Sequence, residues 1–111
     1  MTNAAKTPSQ LIVDEVTSWP GVTADVEDDG ELAIKLGRRE LGHLHGDFAA
    51  HFSFPKSVWR ELHAAGRIGH HPVFPGKEGP AARGLEGETD VRDVIELLRL
   101  NYDRVTSRIR A

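Results

Sequence analysis

The chain has 111 residues, 39% hydrophobic and 28% charged, with 14 Lys plus Arg against 17 Asp plus Glu and a formal net charge of -3. That length suits one core and not two ordinary domains, so residues 1–111 are expected to form a single domain of globular rather than disordered composition. The balance of charge argues against a nucleic-acid partner, and the absence of cysteine excludes disulfides and thiolate sites. No apolar run approaches the roughly 20 residues of a spanning helix, so a cytoplasmic location with no membrane partner is the expectation.

In chain order, "TPSQLIVDEVTSWPG" opens with Thr7 as N-cap, Pro8 at the first helical position and Gln10 completing a capping box. Leu11, Ile12, Val16 and Trp19 recur at helical spacing until Pro20-Gly21 ends the pattern. From Val22 to Phe54 the period changes to two, which predicts four strands near 22–27, 31–36, 39–45 and 48–53, joined by "DDG", "GR" and "GD". A three-residue "DDG" turn sets Val26 opposite Leu32, and two-residue turns set Leu36 opposite Arg39 and His45 opposite Phe48.

"FPKSVWRELHAAG" reads as a helix started by Pro55, carrying Val58, Trp59, Leu62 and Ala65 on one side and stopped by Gly66. Residues 67–88 read as a loop, with candidate short strands near Val73 and from Ala81 to Leu85. The last segment begins with Thr89 as N-cap and stripes Val91, Val94, Ile95, Leu98, Tyr102, Val105 and Ile109 along one face. The fold expected is α+β, a four-stranded antiparallel meander with N-terminal, middle and C-terminal helices packed on one face.

In that register the covered face carries Val22, Ala24, Val26, Leu32, Ile34, Leu36, Leu41, His43, His45, Phe48, Ala50 and Phe52. His51 falls on the opposite face with Glu40 and Ser53, and Leu44 is an apolar member of that otherwise polar face. A His-x-His pair on one strand projects both imidazoles to one side about 6.5–7 Å apart, close enough to share a ligand or a metal ion. His43 and His45 are therefore candidate catalytic residues, with His71 of the "HHP" loop as the third. A hydrogen-bonded neutral imidazole there can act as a general base near neutral pH.

Arg39, Phe48, His70 and Tyr102 are candidate substrate-binding residues around the same wall. No cofactor is expected on this reading. The alternative is zinc or iron held by His43, His45 and His71, since without thiolates only His, Asp or Glu can ligate. A further alternative is a non-enzymatic interaction module that uses the exposed polar face of the sheet, where Leu44 and the alanines lie, or an edge strand. The sequence shows no P-loop, GxGxxG, HExxH or GxSxG motif.

"ELGHLHGD", "FPKSVWRELHAAGRIGHHPVFP" and "DVRDVIELLRLNYDR", together spanning about residues 30–104, resemble the luciferase-like domain of bacterial proteins and of fungal luciferases. The resemblance implies a small-molecule ligand and an oxygenase-like activity: in the fungal members, oxygen is added to a hydroxypyrone. It places the motif histidines on His43 and His45 and the loop histidine on His70 or His71. The chain departs from the pattern at "KEGPAAR", where Pro80 stands in the position of an aromatic residue.

Overall fold

The computed structural model describes residues 6–110, with only the backbone of Ile109 and Arg110, so the expected place of the Ile109 side chain lies outside the described residues. The elements are α1 (Pro8–Val16), β1 (Val22–Val26), β2 (Leu32–Leu36), β3 (Arg39–His45), β4 (Ala49–Ser53), α2 (Lys56–Ala64), β5 (Gly69–His70), β6 (Pro80–Gly84) and α3 (Glu88–Arg110). The class is α+β with three helices and an antiparallel sheet, as expected, but the sheet has six strands in the order β1-β2-β3-β4-β6-β5. The expected strand at 81–85 forms at Pro80–Gly84, whereas the other forms at Gly69–His70 and not near Val73. Both are short and rich in Gly, Pro or Ala, so their strand character comes from pairing, β6 onto β4 and β5 onto β6, and not from local propensity.

Helix α1 has the anticipated capping box, with Thr7 and Gln10 each bonding the other's backbone N–H. Its start is tied to the β3–β4 turn, because Ser9 donates through its N–H and its hydroxyl to Asp47 Oδ1, at 2.9 and 2.6 Å. Helix α3 begins at Glu88, one residue before its expected cap Thr89. Val94, Leu97, Leu98, Tyr102 and Val105 of α3 join Ile12 and Val16 of α1 and Ile34, Leu41, Leu44, Ala50 and Phe52 of the sheet in one core. Completing this core beside β6, Trp59 of α2 is buried and donates Nε1–H to the Pro80 carbonyl at 2.9 Å.

Two local features reset the expected register. Leu36 does pair Arg39, and Val26 does pair Leu32. Further along β3, however, Ile34 pairs Gly42 while Lys35 pairs Glu40, so Leu41 is an extra residue forming a β-bulge. The bulge reverses the alternation: Leu41 and Leu44 are both buried in the helix-covered core, and His43 and His45 turn to the other face. The β3–β4 turn then uses three residues instead of two, setting His45 opposite Ala49, not Phe48. This second reversal cancels the first, so Ala50 and Phe52 return to the covered face and His51 to the opposite one, as expected.

Side chains from α3 hold the bulge in place. Asn101, buried at 2% exposure, donates Nδ2–H to the Leu41 carbonyl at 3.0 Å and to the Ser53 carbonyl at 3.3 Å. The first of these satisfies a carbonyl whose residue has no direct cross-strand partner. Beside it Gly42 admits the helix: a Cβ there would lie 2.8 Å from Leu98 Cδ2 and 3.0 Å from the His51 carbonyl.

Candidate functional site

The helix-free face of the sheet gathers four histidines and two glutamates. His43 and His51 are cross-strand partners on β3 and β4, His45 lies two residues along β3, and Glu31 precedes β2. His71 enters from the end of β5, its ring centroid 4.2 Å from that of His51. Consecutive residues of an extended segment face opposite ways. His70 therefore shares the face of Ala81 and Phe52, where it packs 4.9 Å from the Trp59 ring and 5.2 Å from His63.

The polar contacts form one connected set. His45 Nε2 lies 2.6 Å from Glu31 Oε1, and His43 Nε2 lies 3.2 Å from Glu31 Oε2. His43 Nδ1 is 3.2 Å from Glu40 Oε2, so each ring nitrogen of His43 faces a carboxylate. His51 Nδ1 approaches His43 Nε2 at 3.3 Å. Two groups in this set have donor atoms mutually within 4.8 Å and could hold an ion: Glu31 with His43 and His45, and His43 with His51 and His71.

Burial grades the cluster. His51 is 6% exposed, and desolvation followed by the charges of His71, His45 and His43 lowers its pKa to about 4. It is therefore neutral at physiological pH. His71 is also held below the ordinary imidazole range, first by desolvation and then by His43 and His45. Its Nδ1 accepts the Val73 N–H at 3.1 Å, which leaves the proton of the neutral ring on Nε2. His45 is the open member, with a side chain 42% exposed and, among the described residues, no hydrogen-bond partner on Nδ1.

The remaining expected site residues lie elsewhere. Tyr102 is buried against Trp19 and donates its hydroxyl to the Pro20 carbonyl at 2.9 Å, so it closes the core behind the sheet. Arg39 is exposed at the start of β3, on the Arg104 and Arg108 side of the molecule, where its charge acts on Arg104. Phe48 belongs to the three-residue turn and is 81% exposed, which corrects its expected place on the covered wall. His70 joins Lys56, Trp59, His63, Lys77 and Glu78 around a separate cleft. Leu44 is buried in the core, so the polar face loses the apolar residue that favoured an interaction surface.

Sequence reasoning missed Glu31, Glu40 and His51 as site members. For His51 the signal was present, since its parity was read correctly; what was missing was the bulge that brings His43 and His45 round to join it.

A family model described as Luciferase domain matches residues 38–101. The chain belongs to the luciferase domain family. The matched stretch holds His43, His45, His51 and His71 but not Glu31, so four imidazoles of the cluster lie inside the family domain and its central carboxylate just outside. No curated protein and no solved structure matches the chain. Among the described residues, no helix is long and apolar enough to cross a membrane.

Proposed function

We propose that this luciferase-domain protein binds a small molecule bearing an acidic enol or phenol on its histidine face and acts on it in an oxygenase-like way. The observation that carries the reading is the His45–Glu31 pair: Nε2 sits 2.6 Å from a carboxylate oxygen while the opposite edge of a half-exposed ring is open. A carboxylate on one nitrogen fixes the tautomer and orientation of an imidazole, which leaves the other nitrogen as a proton acceptor. In the ion-free protein, Nδ1 of His45 takes the hydroxyl proton, and the electron-rich enolate carbon bonds to oxygen. The peroxide formed recovers the proton, so the enol O–H bond and the π bond of dioxygen give way to a C–O and a hydroperoxide O–H bond, the substrate carbon being oxidised and dioxygen reduced to the peroxide level with no other reactant. His51, with its pKa near 4, is a poor base at neutral pH and serves as a neutral wall for the anion.

Apolar surface beside the cluster suits the carbon skeleton of such a molecule. The Phe74 ring is 5.4 Å from that of His71 and is 43% exposed, with Val73 next to it at 70%. The reading is tested by thermal-shift titration and oxygen uptake with a 4-hydroxy-2-pyrone, a flavonol and a simple phenol. Saturable stabilisation by at least one acidic enol, lost in His45→Gln, is expected. No stabilisation by any of the three in wild-type protein overturns it.

A further inference from the structure

The contacts within the cluster pose a counting problem. Neutral His43 carries one proton. If Nδ1 donates it to Glu40, then Nε2 presents a lone pair to the Glu31 carboxylate at 3.2 Å and lies 3.3 Å from His51 Nδ1. Whichever nitrogen of neutral His43 carries the proton, the lone pair of the other faces a carboxylate oxygen at 3.2 Å, a repulsion that a cation at the point where these atoms converge relieves.

The spacing fits a transition-metal ion. Ligands at 2.0–2.1 Å from a tetrahedral ion are about 3.3–3.4 Å apart; His43 Nε2 lies 3.2 Å from Glu31 Oε2, and the donor atoms of Glu31, His43 and His45 all lie within 4.8 Å of one another. Two imidazoles and one carboxylate on one side of an ion, with the outward positions open, form the 2-His-1-carboxylate arrangement associated with divalent iron. Glu40 on His43 Nδ1 supplies the outer carboxylate that commonly orients a ligating histidine.

The surroundings supply an independent reason. A cleft of about 400 Å³ opens beside the cluster, lined by Glu27, Asp28, Asp29, Glu31, Glu40 and His43. Among these, Glu27 has a cationic partner, Lys35, at 3.5 Å, but Asp28 and Asp29 have none among the described residues. Such a cleft concentrates divalent cations at its inner end, where the imidazoles begin. Hard-ion binding by carboxylates alone would not use them; the histidines select a first-row transition ion over magnesium or calcium.

We infer that Glu31, His43 and His45 form a binding site for one divalent first-row transition-metal ion, with His51 beside it and Glu40 orienting His43. The inference rests on the reading of the histidine face as the working surface. With the ion bound, His45 Nε2 becomes a ligand, its Nδ1 carries a proton, and the ion in place of the imidazole makes the bound hydroxyl more acidic.

The test uses full-length protein without a histidine tag, stripped with chelator and titrated with cobalt(II) or zinc(II) in the absence of any organic ligand. One equivalent per chain is expected, with a cobalt visible spectrum and a raised Tm. Glu31→Gln and His43→Ala should each abolish stoichiometric binding, Glu40→Gln should weaken it 10- to 100-fold, and His63→Ala should leave it unchanged. Circular dichroism checks that each variant is folded, and Glu31→Gln serves if His43→Ala is not. No stoichiometric uptake by wild-type protein, or uptake that survives Glu31→Gln, overturns the inference. Metal uptake without enol binding would leave the ion site standing and defeat only the substrate reading; enol binding by stripped, metal-refractory protein would do the reverse.

Discussion

The two faces of the sheet are built from the same strands but by opposite physical rules. On the covered face, Ile34, Leu41, Leu44, Ala50 and Phe52 meet α1 and α3, and energy comes from apolar area removed from water. On the other, His43, His45, His51, Glu31 and Glu40 sit close together with more polar groups than mutual hydrogen bonding satisfies. The first arrangement is what stabilises a domain of this size. The second disfavours added positive charge, as the pKa of about 4 for His51 records, and such perturbed groups are common where a protein binds or reacts.

Substitutions can separate the two faces. Leu98, fully buried in α3, packs closely over Gly42 on the covered face. Leu98→Ala is expected to lower unfolding free energy by about 2–5 kcal/mol, measured by urea denaturation, while leaving the ligand preferences of the surviving folded protein intact. Asn101→Leu strikes the link between the faces. It strands the Leu41 carbonyl at the bulge and removes the Arg104 contact at 2.9 Å, for a cost of about 2–3 kcal/mol. Because the bulge sets where His43 and His45 point, this variant should also lose enol and metal binding at temperatures where it remains folded.

The histidine face should respond to pH where the covered face does not. His51 has a folded pKa of about 4 against an ordinary value of 6.5. The unfolded chain therefore binds more protons in that window, and the stabilisation is complete above pH 6.5 and falls as pH drops toward 4. Asp47 and Asp90, both held below the usual 3.8, the first by Ser9 and the second by the Glu86 N–H and Arg83, extend the loss at lower pH. In ion-free protein the loss between pH 6.5 and 4 is expected to be on the order of 1–3 kcal/mol after solvent screening. His51→Leu should flatten that part of the curve; an unchanged slope would mean that another group titrates there.

Smaller effects test the edges of the comparison. Ser9→Ala removes both donors' shared anchor only in part, since the backbone N–H still reaches Asp47. Its expected cost is about 1 kcal/mol by thermal or urea unfolding, without effect on the histidine face. His63→Ala, on the α2 side against Trp59, should change neither stability by more than about 0.5 kcal/mol nor binding at the cluster.

The covered face was legible because its signals are local and repeated. The capping box of α1, the Gly37-Arg38 turn, and the stripe of Val94, Leu98, Tyr102 and Val105 each follow from neighbouring residues, and all are found in place. The fifth and sixth strands were harder because "GH" and "PAARG" have little strand propensity: β6 depends on β4 as a template and β5 on β6. The site was half legible. His-x-His marks a shared face from spacing alone, but which face depends on an extra residue at Leu41 whose stabilising partner, Asn101, lies 60 residues away. No window around the strand contains that information. Glu31 was missed for a similar reason: it is a turn-end carboxylate until β2 and β3 pair.

Four histidines, His43, His45, His51 and His71, form one cluster, and His63 and His70 lie apart from it. The direct test is imidazole 1H–15N NMR of stripped, full-length protein during titration with zinc(II). The resonances of His43, His45, His51 and His71 are expected to shift together and saturate at one equivalent, with His63 and His70 unmoved. Shifts at His63 and His70, or His51 moving without His43 and His45, would contradict the arrangement.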